Sequence, residues 1–244
     1  MNGPHFFVSP TQIEGESAVL TGDDARHLAV VLRATPGELV SLSDGAGRCW
    51  ETRVVRARPS EVALRLVDMR QLPRPRPRLT VVHALPKGRK LEDVVQRLAE
   101  IGVDRLIPAH SARSMVRLTP EKAAKAVERW RAVARAAAKQ SRRAWLLDIT
   151  AVTEWTMGEW ARTFPAGARG VCCWEEAVTP LRDISVPVDA DEIVLAIGPE
   201  GGLAPEEVAI TGLPVASLGP TILRTETAAL VAASIILYRT GRLG

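Results

Sequence analysis

Cysteine is scarce. Cys49, Cys172 and Cys173 are an odd number with no Cys-x-x-Cys spacing, which argues against a disulfide framework and against a zinc site. Buried free thiols are expected, and no metal. Long apolar runs are missing too: the longest, Ala228 to Tyr238 with Ser234 its one polar member, falls far short of the ~20 residues of a membrane-spanning helix and reads as a buried helix. The start, Met1-Asn2-Gly3-Pro4-His5, has no basic segment followed by an apolar core, so no secretory signal is expected and the cytoplasm is the expected compartment. What is present, 46% hydrophobic and 25% charged residues in a chain of 244, is a globular composition for one large domain or two ordinary ones.

Charge is unevenly spread. Residues 70–143 hold 19 Lys and Arg against 6 Asp and Glu, whereas residues 1–69 hold 7 against 9 and residues 144–244 hold 6 against 13. A concentrated basic block is the footprint of a polyanion binder, because each neutralised phosphate releases counterions. Nucleic acid is favoured over a merely solvated helical surface.

Residues 1 to about 70 alternate in short segments. Phe6 to Val8, Leu39 to Leu42, Cys49 to Val55 and Val62 to Leu66 read as strands, separated by the turn signals Pro36-Gly37, Asp44-Gly45 and Pro59-Ser60. This predicts a small β-barrel or sandwich, interrupted by one helix, Asp23 to Leu32, with Leu28, Val31 and Leu32 on one face and Arg26, His27 and Arg33 beside it. Gln71 to Arg78, with prolines alternating with arginines, reads as an extended linker, and the domain boundary is placed there, giving domains 1–72 and 73–244. From Leu79 onward strands and helices alternate. Strands are expected at Leu79 to Leu85, Val103 to Ile107, Leu146 to Thr150, Gly170 to Trp174, Glu192 to Ile197 and Val215 to Leu218. Helices are expected at Leu91 to Ile101, Thr119 to Gln140, 153–162, 204–211 and 225–240, the second opened by Thr119-Pro120-Glu121. Such alternation is an α/β layer with a mostly parallel sheet, whose ligands bind at the carboxyl ends of the strands.

Two loops fall there. Ile197-Gly198-Pro199-Glu200-Gly201-Gly202 has neither the Lys-Ser/Thr of a Walker A loop nor the Gly-x-Gly-x-x-Gly of a dinucleotide fold. Glu200 would repel a pyrophosphate, which points away from ATP and NAD and toward a cationic or zwitterionic ligand such as S-adenosylmethionine, unless it only shapes the turn. The second loop, Leu218-Gly219-Pro220-Thr221-Ile222-Leu223-Arg224-Thr225-Glu226-Thr227, opens the most apolar helix of the chain. Thr225 alone suffices for a cap. Arg224 and Glu226 are therefore candidates for chemistry, against a structural ion pair between them.

The two loops together resemble the C-terminal signature of the RsmE family, the 16S ribosomal RNA (uracil-N3)-methyltransferases of the SPOUT superfamily. The resemblance extends to His5 to Val8, His27 to Arg33, Lys87 to Arg89, Gln96 to Val103, Arg113-Ser114, Trp130 and Gln140-Ser141-x-Arg143. It implies an N-terminal PUA-like β-barrel and a C-terminal SPOUT-type α/β domain with a deep trefoil knot, in a homodimer joined through the knotted regions. It implies S-adenosylmethionine as cofactor, held by Trp174, by Ile197, Gly198, Pro199, Glu200, Gly201 and Gly202, and by Leu218, Gly219, Ile222, Leu223 and Thr225, with backbone of Leu218 and Leu223 around the adenine. It implies 16S rRNA as partner, with Arg26, Arg33, Lys87, Arg89, Arg113 and Arg143 as contacts. Thr221, Ala204 and Ala144-Trp145 depart from the family pattern, and the Ala204 departure removes a helix cap worth ~1 kcal/mol. N3 of uracil carries a proton and lies on the pairing edge, so the target must be unpaired. Arg224 is then expected to stabilise charge on a uracil oxygen, and Glu226 to orient Arg224 or accept the proton. The competing readings are an RNA-binding or ribosome-assembly module without catalysis, and a small-molecule α/β enzyme with an acidic substrate.

Overall fold

A computed structural model of the chain describes residues 3–164 and 167–244. Met1 and Asn2, read above for a signal, lie outside the described residues. The chain forms two compact units, Met1–Arg74 with Ala138–Leu146, and Pro75–Ala137 with Leu147–Gly244.

The first unit contains strands β1 His5–Phe7, β2 Ile13–Glu14, β3 Ser17–Thr21, β4 Leu39–Ser43, β5 Arg48–Arg58 and β6 Glu61–Gln71, with helix α1 Gly22–Arg26 after β3. Among the described residues they form one sheet in the order β1-β4-β5-β6-β3-β2, antiparallel except for β1 with β4. Period-two burial builds its core: Ala18 and Leu20 of β3 and Val62 and Leu64 of β6 join Phe6, Leu28, Leu42 and Val54. Strand β3 has no sequence signal of its own, because its Ser17, Ala18 and Thr21 are small or polar; pairing with β6 defines it.

The Asp23–Leu32 helix needs correction. Helix α1 stops at Arg26, and His27–Val31 is a π-turn in which Leu32 N–H donates to His27 C=O at 2.9 Å. The wider turn carries Val31 and Leu32 off the buried face, so that Leu28 is buried and the other two are exposed.

Ala138–Leu146, given above to the second domain, belongs to the first unit. Its backbone bonds the β4–β5 turn. Ser43 Oγ and Gly47 N–H both donate to Ala144 C=O at 3.1 Å, and Leu146 N–H donates to Gly45 C=O at 3.0 Å. Trp145 packs on Gly47, where a Cβ would fall 2.4 Å from the indole, and the Arg74 guanidinium sits 5.1 Å from the ring centroid. Lys139 pairs with Asp24 at 2.6 Å. His5 bonds Ser41 Oγ at 2.8 Å; burial lowers its pKa to about 4, partly opposed by a hydrogen bond to Arg143 backbone.

The later elements are β7 Arg78–Ala84, α2 Lys90–Ile101, β8 Arg105–His110, α3 Pro120–Gln140, β9 Asp148–Ile149, β10 Thr153–Glu154, α4 Met157–Thr163, β11 Gly170–Cys173, β12 Glu192–Ile197, α5 Pro205–Thr211, β13 Val215–Ala216 and α6 Thr225–Arg239. The helix expected at 153–162 starts later, because Thr153 and Glu154 pair with β8. The second sheet runs β10-β8-β7-β12-β11-β13, with β9 also on β8, and its paired strands are all parallel. Both faces are covered, which is why these strands read as near-continuous apolar runs. Leu79 and Val81 of β7 and Ile193, Leu195 and Ile197 of β12 pack with α2 and α6, while Val82, Ala84, Val194 and Ala196 pack with Trp155, Phe164 and Val208. Each such Leu, Val or Ile contributes ~1.5–3 kcal/mol when fully buried. Strands β8 to β10 lie on one side of β7 and strands β11 to β13 on the other, so the order of strand addition reverses between β7 and β12. Ligands bind at such a switch point.

The chain's last residues close this unit. Asp104 is buried and accepts Leu79 N–H at 2.8 Å, and Arg242 donates to Asp104 Oδ2 at 2.6 Å, to Pro77 C=O at 2.8 Å and to Gly102 C=O at 2.7 Å. Gly102, at φ 99°, ends α2 in the left-handed conformation. Cys49 and Cys172 are buried free thiols and Cys173 is half-buried; burial pushes the Cys172 thiol up to about 12. No helix among the described residues is long and apolar enough to cross a membrane.

Candidate active site

The loops that leave the carboxyl ends of β7, β8, β11, β12 and β13 meet around residues 198–204 and the first turn of α6. Glu200 is the tie between them. Its Oε1 accepts Lys90 Nζ at 2.7 Å, and both oxygens lie 3.2 Å from Lys87 N–H. Partial burial would raise its pKa, but the bonds from Lys90 and from backbone N–H groups outweigh burial and hold it below the usual carboxylate value. Glu200 therefore shapes the loop, with its carboxylate bonded to Lys90 and to the Lys87 backbone. Lys90 Nζ is also 3.9 Å from Glu226 Oε2, an atom buried without a hydrogen-bond partner.

Thr225 is not a cap. Arg224 occupies the N-cap position with no side-chain cap bond, and Thr225 Oγ1 donates instead to Gly198 C=O at 2.6 Å, tying α6 to the end of β12. The Arg224–Glu226 ion pair is absent among the described residues, for a geometric reason: side chains two apart at a helix start point in different directions. Arg224 is exposed, and its guanidinium makes no hydrogen bond or ion pair among the described residues. Ile197 and Pro199 are buried, which leaves backbone as what Ile197 can offer a ligand. Leu218 and Leu223 are half-buried, Gly219 is exposed, and Ile222 is 91% exposed.

The remaining cofactor candidates brace the loop from the other side. Trp174 Nε1 donates to Leu203 C=O at 3.2 Å. Gly202 has φ 70°, a left-handed conformation that favours glycine, and a Cβ there would displace the Glu175 carboxylate, whose Oε1 would lie 1.7 Å away. Arg113 Nη1 donates to Gly201 C=O at 3.2 Å. The missing cap at Ala204 is offset from the opposite direction: buried Glu207 accepts Ala204 N–H at 3.0 Å and Ala112 N–H at 2.6 Å, and Pro205 opens α5.

Of the six basic residues expected at RNA, Lys87, Arg89 and Arg113 belong to the second unit and Arg26, Arg33 and Arg143 to the first. Arg89 pairs with Glu92 at 2.8 Å. Arg33 is exposed with φ 53°. Sequence reading missed Lys90, Glu175, Glu207 and His83. Lys90 stood in a basic run where no single residue is distinguished, and His83 was one polar residue in an apolar strand.

An α/β unit with a parallel sheet and glycine loops at its switch point has the form of a ligand-binding α/β domain. Comparison with known families specifies it: residues 73–237 match the RNA methyltransferase domain and residues 20–67 the RNA methyltransferase PUA domain. Ribosomal RNA small subunit methyltransferase E of Mycobacterium bovis is 36% identical over 97% of this chain and 92% of its own length, and that of Bacillus subtilis 30% identical over 96% of each. The crystal structure of ribosomal RNA small subunit methyltransferase E from Neisseria gonorrhoeae bound to S-adenosyl methionine superposes with a TM-score of 0.85 over 98% of each chain, at 25% identity. The chain belongs to the ribosomal RNA small subunit methyltransferase E family, with a SPOUT-type α/β domain and a PUA domain.

Proposed function

We propose that this protein methylates N3 of a uridine in the decoding region of 16S ribosomal RNA, using S-adenosylmethionine. The observation that carries the reading is Arg224: an exposed guanidinium without an ion pair among the described residues, at the head of α6 and beside the loops that make the switch-point site. The residues present fit the cofactor. Gly202 takes a left-handed conformation in the loop, Ile197, Gly198, Leu218 and Leu223 lie in the two loops at the carboxyl ends of β12 and β13, and Glu226 Oε2 is a buried acceptor with no hydrogen-bond partner among the described residues. Bound there, S-adenosylmethionine supplies an electrophilic methyl group.

The protein's own residues supply the rest. Arg224 stabilises negative charge developing on a uracil oxygen as N3 loses its proton. Glu226, not engaged by Arg224 and held near Lys90, accepts that proton. The uridine is unpaired or flipped out to reach them. Lys87, Arg89 and Arg113 on one unit and Arg26, Arg33 and Arg143 on the other contact RNA, mostly through phosphates. The α6 helix is apolar on every side, with Leu230, Val231 and Ile235 half-buried and Tyr238 exposed. That face joins a second copy in a homodimer, and the site loops form the trefoil knot. The compartment is the cytoplasm.

The test is Arg224→Ala and Glu226→Gln in a methyl-transfer assay on 16S rRNA, with the product mapped by mass spectrometry. Each should lower the rate by about a hundredfold or more while cofactor binding, measured by calorimetry, stays intact. Near-normal rates in both variants would sink the catalytic assignment. A wild-type chain that bound RNA but no S-adenosylmethionine would instead favour the non-catalytic RNA-binding module.

A further inference from the structure

His83 leaves a hydrogen count one short. The ring is fully buried near the end of β7. Its Nδ1 lies 2.7 Å from Ala84 C=O, an acceptor only, so this nitrogen carries a hydrogen. Burial lowers the imidazole pKa against the opposing pull of hydrogen bonds to Ala84 and Thr225 backbone; with Nδ1 carrying the hydrogen, the neutral ring presents Nε2 as an acceptor. Facing Nε2 is Thr225 Oγ1 at 3.4 Å, and the one hydrogen of that hydroxyl goes to Gly198 C=O at 2.6 Å. Two acceptors thus share one donor. Leaving a buried acceptor unmatched is unfavourable.

We propose that the Gly198 carbonyl is the docking point for an N–H donor of the bound cofactor, and that His83 is a positioning residue which takes over the Thr225 hydroxyl when that donor arrives. The inference rests on the reading that these loops hold S-adenosylmethionine, a molecule with N–H donors on its adenine and on its amino-acid end. Handover requires only that the hydroxyl hydrogen rotate and that a 3.4 Å contact shorten to ordinary hydrogen-bond length. With the cofactor in place both acceptors are satisfied, so binding gains a hydrogen bond inside the protein as well as one to the ligand.

The experiment is nitrogen NMR of the His83 ring with and without S-adenosylmethionine, paired with calorimetry on His83→Phe, Thr225→Val and the double variant. In the free wild-type protein Nδ1 should be protonated and Nε2 bare, and the cofactor should move the Nε2 signal toward that of a hydrogen-bonded acceptor. His83→Phe should weaken binding roughly fivefold, the worth of one net hydrogen bond, because the Thr225 hydroxyl then stays on Gly198 and competes. Adding Thr225→Val to His83→Phe should recover most of that loss, a non-additive result that simple misfolding does not produce. An imidazolium in the free protein, an unmoved Nε2 signal on tight binding, or additive losses would overturn the inference alone. Absence of S-adenosylmethionine binding to the wild-type chain would overturn both it and the cofactor reading, and the NMR arm needs no substitution to fold.

Discussion

Arg242→Ala should be one of the most destabilising single substitutions in the second unit. The guanidinium donates to Pro77 C=O, Gly102 C=O and both oxygens of Asp104, and the side chains of Arg242 and Asp104 are 8% and 1% exposed. Truncating Arg242 leaves a buried carboxylate with Leu79 N–H as its one hydrogen-bond donor among the described residues. Removing one partner of a buried pair costs about 3–5 kcal/mol, chiefly through the charge left behind. For a unit of this size that is a fall in melting temperature of about 6–20 °C. The control is Arg76→Ala, which removes a pair to Asp191 whose side chains are 74% and 86% exposed and should cost ~0–1 kcal/mol. Guanidinium unfolding followed by circular dichroism measures both, and hydrogen exchange at the Leu79 amide reports whether Asp104 still binds it. Because the penalty comes from an orphaned charge, Asp104→Leu combined with Arg242→Met should recover part of the loss. An Arg242→Ala cost no larger than that of Arg76→Ala would refute the argument.

Gly202→Ala should weaken S-adenosylmethionine binding in calorimetry, since φ 70° strains a residue with a Cβ and that Cβ, 1.7 Å from Glu175 Oε1, displaces the Glu175 carboxylate; Glu175→Ala should relieve the second effect and leave the first. The first unit should lose stability in acid. His5 has a folded pKa of about 4, below its ordinary 6.5, so the unfolded chain takes up the proton first; stability is full above about pH 6.5 and declines as pH falls toward 4. Hydrogen exchange across that range should show the decline, and His5→Gln should flatten it. RNA affinity should fall linearly on a log-log plot against salt, with a slope of about −0.7 per single-strand phosphate contacted; a flat salt titration would contradict recognition through the basic residues.

The legible parts of the fold were those whose cause is local. Glu192–Ile197 and the start of α3 at Thr119-Pro120 could be read directly, because a strand buried on both faces is an unbroken apolar run and a helix start has its own chemistry. The π-turn after Arg26 could not be read. Its pattern of apolar residues is what an α-helix would also show, and one inserted residue decides whether Val31 faces in or out. The attachment of Ala138–Leu146 to the β4–β5 turn was equally hidden, because Ala144 finds Ser43 and Gly47 from about a hundred residues away. Sequence spacing carries no sign of such a contact.

For the two glycine loops, sequence alone determined the inventory: no phosphate-loop lysine, a carboxylate at Glu200, and arginine, glutamate and threonine at the head of an apolar helix. That inventory, with the family pattern around it, was enough to point to a methyl donor and to RNA. Only the tertiary structure decided what each side chain is free to do. Glu200 bonds Lys90, the Thr225 hydroxyl bonds Gly198, and Arg224 has no ion pair among the described residues. Residue type fixes the donors and acceptors a chain possesses, but which of them meet depends on distances between segments that lie far apart along it.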